Sequence, residues 1–180
     1  MTRALVLGSA DTLQDDLAQC PKLDVIAVND AGWKYPGPIR FWVTLHPENF
    51  DAINRRSGCG EWLKKRPRDG YKIVSHLPKP YVDIVYSKYS EDWCKGGSSG
   101  LLAVAFGLKH YNHLILAGMP MTPTPHFWGG KDWTERNCYW RSWEKAYPDI
   151  KGRVKSLSGA TRELLGPPPE TWLTDEEGGA

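Results

Sequence analysis

A chain of 180 residues can bury one core and is short for two, so a single domain over residues 1–166 and an extended tail over 167–180 are expected. Its 23 basic and 21 acidic residues leave a formal charge of +2, too balanced to support a nucleic-acid partner through a long-range field. Cys20, Cys59, Cys94 and Cys138 are widely spaced with no CxxC pair, which excludes the usual zinc spacings and fits free thiols in a reducing compartment.

Residues 4–8, ALVLG, form an apolar run closed by glycine, the pattern of a parallel strand buried on both faces. The apolar run is too short for an export signal or a membrane span, so a cytoplasmic protein without membrane attachment is expected. SADTLQDDLAQC follows as a helix, with Ser9 or Asp11 as its cap and Leu13 and Leu17 at i, i+4. DVIAVND gives a second strand whose carboxyl end carries Asn29 and Asp30. A third run, from Phe41 to Leu45, ends on His46 before a proline that suits a helix start.

The basic stretch from Asn54 to Asp69 reads as a solvated helix and loop, and YKIVSH and YVDIVY as short strands. From Gly96 to Met121 the sequence is GGSSGLLAVAFGLKHYNHLILAGMPM. Gly96, Gly97, Ser98, Ser99 and Gly100 leave backbone N–H groups uncovered at the head of an apolar helix, where partial positive charge favours an anion. That helix carries apolar residues over most of its circumference, so it is expected to be buried, and HLILAG is the next strand.

Beyond it the pattern changes. MPMTPTPHFWGG is a proline-rich loop, DWTERNCYWRSWEKAYPDI an aromatic amphipathic helix, RVKSLSG a last short strand, and SGATRELLG a helix stopped by Gly166. Trp128, Trp133, Trp140 and Trp143 crowd this aromatic part, residues 119–166, where indoles serve either as core or as stacking platforms. Strands alternating with helices imply a Rossmann-like three-layer α/β/α domain with a mostly parallel sheet of five to seven strands.

In such a sheet ligands bind beyond the carboxyl ends of the strands, where the strand order reverses. That rule selects Gly8 and Ser9, Asn29 and Asp30, His46, and the loop from Met119 to Trp128, together with Ser98, Ser99 and Gly100. Gly8 and Ser9 read equally as a tight turn or a phosphate contact, while Asn29 and Asp30 have the groups to meet a ribose or base edge. His46 and His126 are histidines on site loops, with side chains of the type that serves as a general base near neutrality. His110 and His113 flank a turn on the opposite edge and read as structural. Arg136, Arg141, Arg153 and Arg162 read as exposed element ends. No GxSxG, Walker lysine, HExxH or paired metal carboxylates occur, so the common hydrolase, P-loop and zincin readings fall away and no metal site is expected.

ALVLGSADT, then DVIAVND, then the Gly96–Met121 segment together resemble the bacterial sialyltransferases that use CMP-sialic acid. The resemblance implies nucleotide contacts at Gly8, Ser9, Asn29, Ser98, Ser99 and Gly100. The family's Gly-x-Gly-Pro-Ser turn is Gly8-Ser9-Ala10-Asp11-Thr12 here, and no histidine follows His126, whereas the family carries its catalytic histidine after the last strand. HFWGGKDW and GRVKSLSGATRELLGPPPETWL are similar to small uncharacterised proteins of tailed bacteriophages, which implies action in a host cytoplasm.

The leading reading is a nucleotide or nucleotide-sugar binding protein, a glycosyltransferase-like phage enzyme with His126 or His46 as base and Trp128 on the substrate. The nucleotide-sugar is the donor substrate, and no separate cofactor is implied. The alternative is a non-catalytic nucleotide or ligand sponge, or a virion-associated interaction protein. A homo-oligomer is compatible with either.

Overall fold

The continuous apolar runs become strands covered on both faces, as burial of their alternate side chains on opposite sides requires. In the computed structural model, which describes residues 2–51, 60–87 and 98–174 apart from the side chains of Arg136 and Asn137, the strands are β1 (Arg3–Leu7), β2 (Asp24–Val28), β3 (Phe41–Thr44), β4 (Lys72–Ser75), β5 (Ile84–Val85), β6 (His113–Ala117) and β7 (Val154–Ser156). They form one seven-stranded sheet in the order β5-β4-β3-β2-β1-β6-β7, and every pair is parallel. The fold is a three-layer α/β/α Rossmann-like one.

Alternation along β1 divides the core in two. Ala4 and Val6 face helix α4 (Ser99–Gly107) and helix α5 (Arg136–Ile150), the latter through Trp143, Ala146 and Ile150. Leu5 and Leu7 face the other layer, built from α1 (Leu13–Leu17), α2 (Ala31–Lys34), a 3₁₀ turn over Pro47–Phe50 and α3 (Trp62–Lys65). All nine residues of α4 are buried, because it crosses the centre of the sheet against β1, β2 and β3. Helix α6 (Gly159–Leu165) packs on β7 and stops at Gly166, whose φ of 79° suits glycine. Among the described residues no helix is long and apolar enough to cross a membrane.

Three indoles, Trp42, Trp62 and Trp143, are fully buried, so for them the core reading of the aromatic excess holds. Trp42 stacks on Trp62 with ring centroids 5.5 Å apart and meets Phe50 edge-on at 4.9 Å. Gly32 is required beneath this stack, since a Cβ there would lie 1.9 Å from Trp42 Cε2.

Several local expectations are corrected. Helix α1 starts at Leu13 after Thr12 with no side-chain cap, so neither Ser9 nor Asp11 caps it. Of the basic stretch, residues 54–59 lie outside the described residues, but the remainder is no simple solvated face. Trp62 is 1% exposed, and Arg66 donates to the carbonyls of Gly32, Tyr35 and Gly37 at 3.0, 2.8 and 2.8 Å. Arg153 likewise donates to the carbonyls of Leu108, Tyr111 and Asn112, covering the carbonyl-rich end after α4.

The 167–180 segment is not extended throughout. Glu170–Leu173 forms a helical turn, α7, because Trp172 is buried and packs on His113 with ring centroids 4.1 Å apart. Residues 175–180 lie outside the described residues, as do Cys59 and Cys94. Cys20 and Cys138 are free thiols, and burial pushes that of Cys20 up to about 11.

Candidate ligand-binding cleft

After β1 the chain turns toward the layer of α1, and after β6 it leaves toward α5 on the opposite face. This divergence between neighbouring parallel strands is the topological switch point at which open α/β sheets hold ligands. A cleft of about 630 Å³ lies there. Its walls are Gly8, Ser9 and Ala10 after β1, Asn29 and Asp30 after β2, His46 and Asn49 after β3, and the loop from Gly118 to His126 after β6. Lys131 to Glu135 and Tyr139 line its far side.

Gly8 is needed by the protein before any ligand. A Cβ there would sit 2.3 Å from the Gly118 carbonyl oxygen, so glycine lets the two strand-end turns touch. Gly118 has a φ of 64°, and its N–H donates to the carboxylate of Asp16 at 2.8 Å. Ser158 Oγ also donates to that carboxylate at 2.8 Å, with Thr12 Oγ1 at 3.3 Å. Asp16 thereby ties α1, the β6 turn and the β7 turn together. Burial raises its pKa, an effect opposed by the hydrogen bonds from Gly118, Ser158 and Thr12.

Asn29 closes β2 with a left-handed φ of 49°, a conformation that asparagine tolerates. Its Oδ1 accepts from Thr44 Oγ1 at 2.7 Å, and Thr44 Oγ1 in turn accepts from the His46 N–H at 2.9 Å. This relay fixes the amide with its NH2 group unpartnered among the described residues, a pair of donors on the cleft wall. Asp30 lines the same wall. Its Oδ1 accepts from the indole N–H groups of Trp33 and Trp62 at 2.8 and 2.9 Å, so that oxygen is committed to framing the wall.

His126 is held against the first turn. Its Nδ1 lies 3.0 Å from Ser9 Oγ, Ala10 and His126 pair as an isolated antiparallel bridge, and Phe127 N–H donates to the Ser9 carbonyl at 2.9 Å. Trp128 does not line the cleft but stacks on His126 with centroids 4.5 Å apart and planes 6° from parallel. The ring is therefore fixed at Nδ1 and on a face, and Nε2 has no partner among the described residues. His46 is exposed, and among the described residues its ring is held by Glu48 alone, at 3.4 Å, so it is the less constrained of the two. His76 beside them has its pKa lowered by burial, opposed by Glu48.

The helix head lies behind the residues that line the cleft. Ser98 caps α4, accepting from the Leu101 N–H at 3.4 Å, and Ser99 Oγ accepts from the Leu45 N–H at 3.0 Å. Gly100 makes room for Met119, whose Cε would lie 2.4 Å from a Cβ at that position. Met119 lines the cleft, while Ser98, Ser99 and Gly100 do not, and Gly96 and Gly97 lie outside the described residues. The sequence reading had also missed Asn49, Trp62, Lys131 to Glu135 and Tyr139. Only the aromatic density around Trp133 and Tyr139 hinted at them, and those rings stack at 6.2 Å.

Among the described residues no group of three His, Cys, Asp or Glu side chains is placed to hold a metal ion. The site is thus a strand-end cleft in a Rossmann-like fold, equipped with amide donors and one oriented imidazole. Solved structures similar to this chain share the architecture. The sialyltransferase CST-II in complex with a trisaccharide acceptor and CMP matches over 96% of this chain and 88% of its own, at 14% identity and a TM-score of 0.60. The sialyltransferase CstII from Campylobacter jejuni in complex with a substrate analogue, cytidine-5'-monophosphate, matches over 94% and 86% at 15% identity and a TM-score of 0.54. A mammalian sialyltransferase matches over 88% and 69% at 13% identity and 0.54. At these identities the likeness establishes the fold. No protein-family model and no curated protein matches the chain.

Proposed function

We propose that the cleft binds a nucleotide-sugar and that the protein transfers the sugar to a hydroxyl acceptor. The observation that carries this reading is the oriented His126 imidazole at a Rossmann switch point, beside the Asn29 amide, in a fold shared with CMP-bound sialyltransferases. The acceptor oxygen would attack the anomeric carbon as the bond from that carbon to the nucleotide phosphate breaks. The acceptor proton goes to Nε2 of His126, and the charge goes to the departing phosphate. Ser9 Oγ at Nδ1 holds the ring in one orientation, and the Asn29 NH2 group and the Ser9 N–H, both without partners among the described residues, are the donors available to the phosphate.

A second reading, a non-catalytic nucleotide binder, is favoured by the internal commitment of Ser99 and of Asp30 Oδ1. Calorimetry and thermal shift with CMP, UMP and their sugars test the binding, and release of free nucleotide from the sugar donor tests transfer. Binding that survives His126→Asn while release falls at least about 100-fold supports the transferase. Wild-type release no faster than the uncatalysed rate leaves only the binder, equal enzymatic release by both proteins removes His126 as the base, and no melting shift with any nucleotide at millimolar concentration refutes both readings.

A further inference from the structure

Outside the cleft, past Asp30 and His126, two ammonium groups converge on one indole. Lys34 Nζ lies 4.3 Å from the Trp33 ring centroid and Lys65 Nζ 4.4 Å from the same ring, and Lys34 Nζ is also 5.0 Å from the Trp128 ring. Neither lysine forms an ion pair or hydrogen bond with another described residue, whereas the adjacent Lys64 pairs with Glu61. The indole attracts each ammonium but accepts no hydrogen bond of normal strength from it, so the rim presents two cations whose N–H donors have capacity for an anion.

The ring itself is not free to turn. Trp33 donates its N–H to Asp30 Oδ1, which Trp62 also fixes from the core, and Trp128 is stacked on His126. Lys34 and Lys65 therefore sit on a rigid aromatic rim that begins where the proposed general base ends. They lie on the α2 and α3 side, away from the β1 and β6 switch point at which a donor phosphate is expected.

We infer that this rim is the binding site for the acceptor, and that the acceptor is an anionic glycan whose carboxylate or phosphate group is taken by Lys34 and Lys65. The inference rests on the transferase reading for the word acceptor, but the rim's preference for an anionic glycan is measurable without donor or turnover. Calorimetry with a glucuronate-terminated oligosaccharide and its neutral glucose-terminated parent is the test, on wild type and on the Lys34→Gln/Lys65→Gln double variant. Lys65 is exposed and Lys34 half-buried, and unchanged melting temperature of the variant verifies its fold.

Wild type is expected to bind the acidic glycan about tenfold tighter than the neutral one, with the double variant erasing the difference and leaving CMP affinity unchanged. A 6-phosphorylated glycan bound with the same preference identifies the shared anionic chemistry, whereas a preference confined to the carboxylate narrows it to acidic sugars. Equal affinity for the charged and neutral glycans overturns the inference. So does loss of CMP binding in the double variant, which assigns the lysines to the donor phosphate instead. A protein that binds the acidic glycan but no nucleotide retains the rim and loses the transferase reading.

Discussion

Replacing Asp16 separates two contributions that the cleft floor combines. The side chain is 2% exposed and its Oδ2 accepts from the Gly118 N–H, Ser158 Oγ and Thr12 Oγ1. Asp16→Ala leaves the Gly118 N–H buried without an acceptor, a loss of about 1–3 kcal/mol, while Ser158 and Thr12 keep each other at 3.1 Å. Asp16→Asn keeps an acceptor oxygen and removes a charge that burial disfavours, so at pH 7 it should fall within about 1 kcal/mol of wild type. Because burial raises the folded-state pKa above 3.8, the folded protein holds this proton more tightly than the unfolded chain. The carboxyl's contribution is therefore full below 3.8 and is lost as pH rises through the raised folded value, the opposite of an ion-paired carboxylate. Urea denaturation of the three proteins between pH 3 and 8 is the assay. The asparagine variant should gain on wild type across that window. If Asp16→Asn is as unstable at pH 7 as Asp16→Ala, the negative charge itself is holding the floor and the argument from burial fails.

Ser99→Ala should lower stability by about 1 kcal/mol through loss of its bond to the Leu45 N–H, yet leave nucleotide affinity unchanged in calorimetry. A tenfold loss of affinity there would restore the helix head to the binding site. Gly8→Ala should cost about 1–3 kcal/mol in thermal or chemical unfolding, since its Cβ must push back a backbone carbonyl at 2.3 Å, and it should weaken ligand binding as the strand-end turns separate. An alanine variant with wild-type melting and affinity contradicts the close approach.

The central sheet was legible because β1, β2, β3 and β6 are buried on both faces, and only unbroken apolar runs satisfy that requirement. The strand-end rule puts Asn29 and His46, and through the loop after β6 also His126, on the wall of the cleft. Ser98 and Ser99 fall outside the cleft lining for a local reason. A serine that caps a helix and a serine that meets a phosphate occupy the same sequence context, and only the packing of Leu45 and Met119 distinguishes them. Asp16 was invisible within LQDDL, where an acidic residue reads as solvated until β6 and β7 arrive from far along the chain. Asp132 to Glu135 read as the first turn of the aromatic helix, which in fact begins at Arg136, and Trp172 hid in a proline-rich stretch whose burial depends on His113.

The position of β1 between β2 and β6 also orders the assembly of the molecule. A chain emerging from the ribosome can pair β1 with β2 and extend toward β5 through short crossovers, but β6 joins only after roughly a hundred further residues have been made and their loop closed. Until then the edge of β1 stands open and Gly8 has no Gly118 to meet. The cleft is thus a seam between an early half and a late half of the sheet, and a ligand that fills it ties together the two parts of the chain that meet last.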